Sequence, residues 1–290
     1  MKREDDFARS SVAIIGLGLM GGSLGMALRG HCKRLLGIDR DPRVLELALA
    51  RGVVDAGHTD PGVLLPQANI IILAVPVCAI LEMLQQIPAF HPGPAIVLDV
   101  GSTKSQILHA MNELPPKFDP IGGHPMCGKE TSGLEHADPS IYQEAPFALI
   151  ALKRTSPEAR SVAETLVQTI GASPIWLDPK THDTWVAFTS QLPYLLAIAL
   201  AEATPLEAAS LVGPGFLGAT RLAGSSPEMM ADILVTNQVK VVEALKQFQL
   251  KLDVFGRAVQ EGNRDLLIAQ LETAYQQRKT LIRERGSDEA

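Results

Sequence analysis

Residues 12–21 read Val-Ala-Ile-Ile-Gly-Leu-Gly-Leu-Met-Gly, and Asp39 follows eighteen residues later at the end of a second apolar run. An apolar strand, a G-x-G-x-x-G turn (Gly16, Gly18, Gly21) and an acid about 20 positions on form a dinucleotide-binding fingerprint. Gly16 lets the chain turn tightly. Gly18 has no Cβ, so a pyrophosphate can approach the backbone. Gly21 lets the next helix pack close to its strand. That helix presents unpaired N–H groups and its positive dipole end to the phosphates. The Asp39 carboxylate suits the adenosine ribose hydroxyls and repels a 2′-phosphate, which favours NAD over NADP. Arg40 beside it keeps NADP open, because a guanidinium pairs with a 2′-phosphate.

Outward from this turn, short apolar runs alternate with helical stretches. Residues 12–15, 35–38, 70–75 and 95–100 read as strands, with 145–152 and 174–177 as further candidates. Their apolarity is continuous rather than alternating, which predicts burial on both faces, as in a parallel sheet. Residues 20–28, 42–50, 77–86, 104–114 and 156–170 read as the intervening helices. Asp41-Pro42 is a favourable cap followed by a favourable first helical residue. After Asp178 only helical periodicity remains, with long helices over 229–260 and 264–285 and a frayed tail over 286–290. The expectation is a doubly wound α/β domain over residues 1–177 and an all-α domain over 178–290. The second half carries more apolar helix surface than a small monomer needs, which points to a homodimer.

The 290 residues are 46% hydrophobic and 20% charged, as in a soluble globular protein. A net charge of −6 and the lack of a basic run argue against nucleic acid as partner. The charged start lacks the apolar core of a signal peptide, and the apolar stretch 192–201 reads as too short to cross a bilayer, so the cytoplasm is the expected address. Three widely spaced cysteines form no CxxC pair and indicate neither a disulfide framework nor a metal site.

Ligands of open α/β sheets bind beyond the carboxyl ends of the strands. Three predicted loops lie there: one after Val75-Pro76, one over 100–104, and one over 121–130. Ser102 or Thr103 is the expected N-cap of the following helix, and either hydroxyl also suits contact with the cofactor or a catalytic group. His124 stands between glycines and a proline, and an imidazole that titrates near neutral pH suits proton removal from a hydroxyl during hydride transfer. The cofactor-binding set expected from the three loops is Gly16, Gly18, Leu19, Met20, Gly21, Asp39, Arg40, Val75, Pro76, Ser102 and Thr103. Lys129 and Glu130 close the His124 loop. In the helical half, Ser190, Gln191 and Tyr194 share one face at a kink expected from Pro193, and Arg221 in a weakly charged region requires an anion, either a ligand carboxylate or a structural acid.

The segments GLGLMGGSLG, DVGSTK, GGHPMCGKETSG, HDTWVAFTSQLPY and FLGATRLAGSSPEMMADI together resemble the prephenate/arogenate dehydrogenase family of tyrosine biosynthesis, over nearly the whole chain. The resemblance implies a Rossmann domain followed by a helical dimerisation domain. It implies oxidative decarboxylation of a cyclohexadienyl alcohol with NAD. In that scheme His124 accepts the proton of the ring hydroxyl, Ser102 orients His124 near the nicotinamide, Arg221 grips a substrate carboxylate, and Glu130 lines or gates the entrance. Gln191 and Tyr194 stand where many relatives carry two histidines, and Gly218 where many carry an acid, so they bear on recognition of the substrate side chain. Two other readings compete. A β-hydroxyacid-type dehydrogenase shares the GLGLMG start but would show a catalytic lysine in a G-x-x-x-x-N-like helix. A non-catalytic dinucleotide-sensing module would have no use for His124 and Arg221.

Overall fold

The computed structural model describes residues 7–286. The chain divides into two compact units, Met1–Gln238 and Val239–Ala290. The eight strands of the first unit are β1 (Ser11–Ile15), β2 (Arg34–Ile38), β3 (Ala56–His58), β4 (Ile70–Leu73), β5 (Ala95–Asp99), β6 (Phe118–Pro125), β7 (Pro146–Ala151) and β8 (Ser173–Trp176). They form one sheet in the order β3-β2-β1-β4-β5-β6-β7-β8. The crossover helices are α1 (Leu19–Leu28), α2 (Pro42–Ala50), α3 (Val77–Phe90), α4 (Ser105–Asn112) and α5 (Pro157–Thr169).

The continuous apolarity of the strands has the expected cause. Val12 and Ile14 of β1 enter one core with Leu24 and Leu28 of α1 and Leu166 of α5, while Ala13 and Ile15 enter the other with Ile80 and Leu84 of α3. Successive residues point to opposite faces, so a strand covered on both sides needs apolar residues at every position.

The sheet departs from expectation at three places. β3 is Ala-Gly-His, with no apolar run to betray it. β6 covers much of the predicted third loop, so His124 lies on a strand and pairs in register with Ala148. Gly122-Gly123 reads as a loop in the sequence, yet these glycines serve close packing. A Cβ on Gly123 would stand 2.6 Å from the Asp99 carbonyl oxygen. Finally, β7 runs antiparallel to β6 while the other neighbouring pairs are parallel. The connection after β6, residues 126–145, contains only the 3-10 turns Leu134–His136 and Pro139–Tyr142 and lacks the α-helix that usually carries a parallel crossover.

The helical part comprises α6 (Pro179–Val186), α7 (Leu192–Ala203), α8 (Pro214–Thr220), α9 (Pro227–Thr236), α10 (Gln238–Gln260) and α11 (Arg264–Gly286). Asp178 caps α6 by accepting from the amides of Lys180 and Thr181. A π-helical turn, Ala187–Gln191, joins α6 to α7. It absorbs the backbone mismatch created by Pro193, which has no N–H to donate. Pro179–Ala203 is therefore a single 25-residue helical run, long and apolar enough to cross a bilayer, where the sequence showed only the ten-residue stretch from 192 to 201. Its polar residues His182, Asp183 and Gln191 are buried and hydrogen-bonded within the first unit, as a core helix requires. Tyr194 of α7 and Met230 and Ile233 of α9 share the core of the sheet face covered by α3 and α4. The helix expected over 229–260 is broken at Asn237, whose side chain is buried in hydrogen bonds to this core instead of continuing the helix. Of the tail expected to fray, Gly286 ends α11 and residues 287–290 lie outside the described residues.

Candidate active site

The glycine turn has the geometry a dinucleotide requires. Gly16 has φ of +90°, a conformation that L side chains rarely adopt, and a Cβ there would meet Val75 and the Ala74 carbonyl at 2.6 Å. A Cβ on Gly21 would stand 1.9 Å from the Gly16 oxygen. Gly18 differs, since a Cβ on it would meet nothing within 4 Å. Space is therefore open on the side where phosphate must approach. Gly18 also provides no side-chain cap for α1, which leaves the first-turn amides of Leu19, Met20 and Gly21 available to an anion. These residues fit a pyrophosphate.

Asp39 already holds two backbone amides: Leu17 N–H donates to Oδ2 at 2.8 Å and Asp41 N–H to Oδ1 at 3.0 Å. Each oxygen keeps a lone pair for a ribose hydroxyl. Arg40 and Pro76 are exposed, and Val75 is half-buried against Gly16.

The Ser102–Thr103 loop is built differently from the sequence expectation. Neither hydroxyl caps α4. The Thr103 hydroxyl shares a hydrogen bond of 2.9 Å with that of Thr236. The cap comes from another helix: Asp183 of α6 accepts from the amides of Lys104 and Ser105, each at 2.8 Å, and from the Ser105 hydroxyl. A carboxylate suits the positive end of a helix, wherever in the chain it originates.

Asp183 also sets the histidines. Its Oδ1 lies 2.9 Å from His182 Nδ1, and His182 Nε2 lies 2.9 Å from His124 Nδ1. The two rings meet nearly edge to face, with centroids 5.1 Å apart. Ser102, expected to orient His124, makes no hydrogen bond to it; the hydrogen bond on the His124 ring is with His182. Burial pushes the His124 imidazole well below its ordinary pKa. The neighbouring His182 and the positive charge of Lys104 push the same way, and Asp183 opposes them. For Asp183, burial raises the pKa, but the hydrogen bonds from His182, Ser105 and Lys104 outweigh it and hold the carboxyl low.

Arg221 and Glu130 form an ion pair in which the side chains are 62% and 41% exposed, so of the two anions open to Arg221, a protein acid holds it in this structure. Lys129 pairs with Asp138, 3.0 Å away, and not with Glu130. Ser190 is exposed and separates from Gln191 and Tyr194, which are buried at 1% and 5% exposure. The Gln191 Oε1 accepts from Asn237, so this part of the stripe is a satisfied buried hydrogen bond. Burial lifts the Cys127 thiol to about 11, as for an inert packing residue.

The sequence reading gave His182, Asp183, Asp99, Lys104 and Asn237 no role at the site. Only Asp99 carried a signal, as a carboxylate closing the apolar run 95–98.

Residues 24–175 match the model of the prephenate dehydrogenase nucleotide-binding domain, and residues 178–273 that of the prephenate dehydrogenase dimerization domain. The chain is 30% identical to a prephenate dehydrogenase of Bacillus subtilis (strain 168), over 96% of this chain and 78% of that one. Among solved structures it is similar to the A. aeolicus prephenate dehydrogenase in complex with hydroxyphenyl propionate and NAD+, with a TM-score of 0.85, 27% identity, and 93% and 98% of the two chains covered. It is also similar to the Synechocystis arogenate dehydrogenase, with a TM-score of 0.81, 28% identity, and 93% and 99% covered.

Proposed function

Because the chain belongs to the prephenate dehydrogenase family, we propose that it oxidatively decarboxylates prephenate, or arogenate, with NAD, yielding 4-hydroxyphenylpyruvate, or tyrosine, together with CO2 and NADH. The hydrogen-bond line Asp183–His182–His124 carries the chemistry of this reading.

NAD, when bound, supplies the hydride acceptor; Gly16, Gly18, Leu19, Met20, Gly21 and Asp39 would hold it, with Arg40, Val75, Pro76, Ser102 and Thr103 around it. The chain's own residues manage the proton. An ionised carboxylate only accepts hydrogen bonds, so the Asp183 oxygen takes the N–H of His182 Nδ1. His182 Nε2 then accepts, and His124 Nδ1 must donate to it. This tautomer leaves a lone pair on His124 Nε2, the atom that takes the ring-hydroxyl proton. A depressed pKa keeps that lone pair free near neutral pH. Once His124 is protonated, its charge faces Asp183 through His182, which stabilises the state formed as the hydride and CO2 leave.

Arg221 holds a substrate carboxylate, exchanging Glu130 for it, and Glu130 lines the entrance. Gln191 and Tyr194 shape the end that receives the substrate side chain. Residues 1–177 serve the cofactor, and 178–290 the substrate and a homodimer contact. Val239, Leu250, Leu252, Val259, Leu271 and Leu281 are exposed in the second unit, consistent with a surface covered by a second copy. The partners are thus a small-molecule substrate and a second copy, with no nucleic acid and no membrane, in a cytoplasmic setting.

The test is absorbance at the reduced-nicotinamide band, with prephenate and arogenate supplied separately, each with NAD and with NADP. Reduction with NAD and at least one substrate supports the reading. Its absence in all four combinations, in protein shown to bind NAD, overturns it.

A further inference from the structure

Lys104 and Asp99 form an ion pair with no exposed side-chain surface, outside the proton path described above. A buried ion pair is a poor source of stability, because desolvation of both charges offsets their attraction. Its bonds show a different use. Asp99 ends β5 and accepts from the amides of Gly101 at 2.8 Å and Gly123 at 3.3 Å. Lys104 Nζ donates to Asp99 and, at 2.8 Å, to the carbonyl of Gly123. Gly123, the residue before His124, is thus gripped at its N–H by Asp99 and at its C=O by Lys104.

Lys104 also acts from its other end. Its backbone N–H donates to Asp183 Oδ1, the oxygen that receives His182. The contacts close a ring: Lys104 Nζ to Gly123, along the peptide to His124, across to His182, to Asp183, and back to the Lys104 amide. One residue therefore holds both the backbone and the imidazole of His124.

We propose that Lys104, with Asp99 as its counter-ion, is the positioning residue of His124, fixing the strand that carries it and the carboxylate that sets its tautomer. The inference rests on the reading of His124 as proton acceptor. Reacting groups lose rate when displaced by about 1 Å, so a site on a glycine-rich strand end needs such a clamp. The titratable groups facing His124 are Lys104, His182 and Asp183, with Asp99 joined to Lys104.

The experiment compares wild type with the double variant Asp99→Asn/Lys104→Met, which removes both buried charges at nearly constant volume. In the folded variant kcat falls at least tenfold, KM and NAD affinity change less than threefold, and the acid limb of the pH profile moves to higher pH because a cation beside His124 is gone. The His124 NMR titration, assigned with His124→Asn, moves the same way. This readout needs no turnover, so it separates failure of this inference from failure of the proposed activity. A folded variant within twofold of wild-type kcat and with an unmoved His124 titration overturns the proposal. If the double variant does not fold, the wild type decides: a protected Lys104 ammonium resonance that responds to His124 protonation is expected, and its absence, or its indifference to that protonation, overturns the proposal.

Discussion

Replacing Asp183 by Asn retains size and removes a charge, and the structure gives the consequence at His124. The Asp183 carboxylate accepts from four donors: the amides of Lys104 and Ser105, the Ser105 hydroxyl and His182 Nδ1. An amide has a single acceptor oxygen. The two amides at the start of α4 bond different oxygens, Lys104 to Oδ1 and Ser105 to Oδ2, and with the Asn oxygen on the Oδ2 side, kept by the Ser105 amide and hydroxyl, the NH2 group faces His182. His182 Nδ1 must become an acceptor, so its proton moves to Nε2. His124 Nδ1 in turn accepts, and its proton moves to Nε2, which abolishes the lone pair that receives the substrate proton. In a serine-protease triad the same substitution produces the wrong tautomer and costs about 10⁴-fold in kcat. Here a second histidine relays the effect and each ring can revert at some cost, so we expect a loss of about 10³-fold, or about 4 kcal/mol of transition-state stabilisation. The loss of the charged cap should cost about 1–2 kcal/mol of stability, leaving a folded enzyme. The assay is kcat and kcat/KM at the reduced-nicotinamide band, with the His124 ring nitrogens read by NMR. A folded Asp183→Asn protein within threefold of wild type, with the Nδ1–H form of His124 still present, would refute the relay.

Further outcomes follow from the same structure. The depressed pKa of His124 places the acid limb of kcat/KM below pH 6.5, and the limb should vanish along with the activity in His124→Asn. The unfolded chain takes up this proton near 6.5 and the folded one only at lower pH, so the His124 contribution to stability is intact above 6.5 and is lost as pH falls toward the folded value; thermal unfolding across pH 5–8 reads this slope. Gly18→Ala should fold normally and lose at least tenfold in NAD affinity, because its Cβ enters the open phosphate space, whereas Gly21→Ala should lose the folded state through its clash with Gly16; calorimetry and NAD titration separate the two. Arg221→Gln breaks an exposed ion pair, worth at most about 1 kcal/mol, so its melting temperature should hardly move while KM for the substrate rises by one to two orders of magnitude.

The sequence by itself determined most of the parallel strands, the glycine turn and the histidine proposed here as proton acceptor. These depend on local rules. A strand covered on both faces is apolar throughout, a phosphate turn needs glycine at fixed offsets, and an imidazole between glycines on an otherwise apolar segment is conspicuous. His124 was therefore visible, although its glycines disguised strand β6 as a loop. What only the tertiary structure decided is how that histidine is held. Ser102 was the near neighbour in sequence, but the bond on His124 comes from His182, 58 residues away, and the cap on α4 from Asp183, 79 residues from Lys104. Arg221 needed an anion by composition alone, yet that the anion is Glu130 depends on chain crossings no spacing reveals. Gln191 was visible as a polar group at a proline kink, but that its Oε1 accepts from Asn237, at a break in a predicted helix, appears only on packing. Hydrogen bonds and ion pairs depend on distance in space. Periodicity reports only which face of an element is buried, so the partners across that buried face appear when the elements pack.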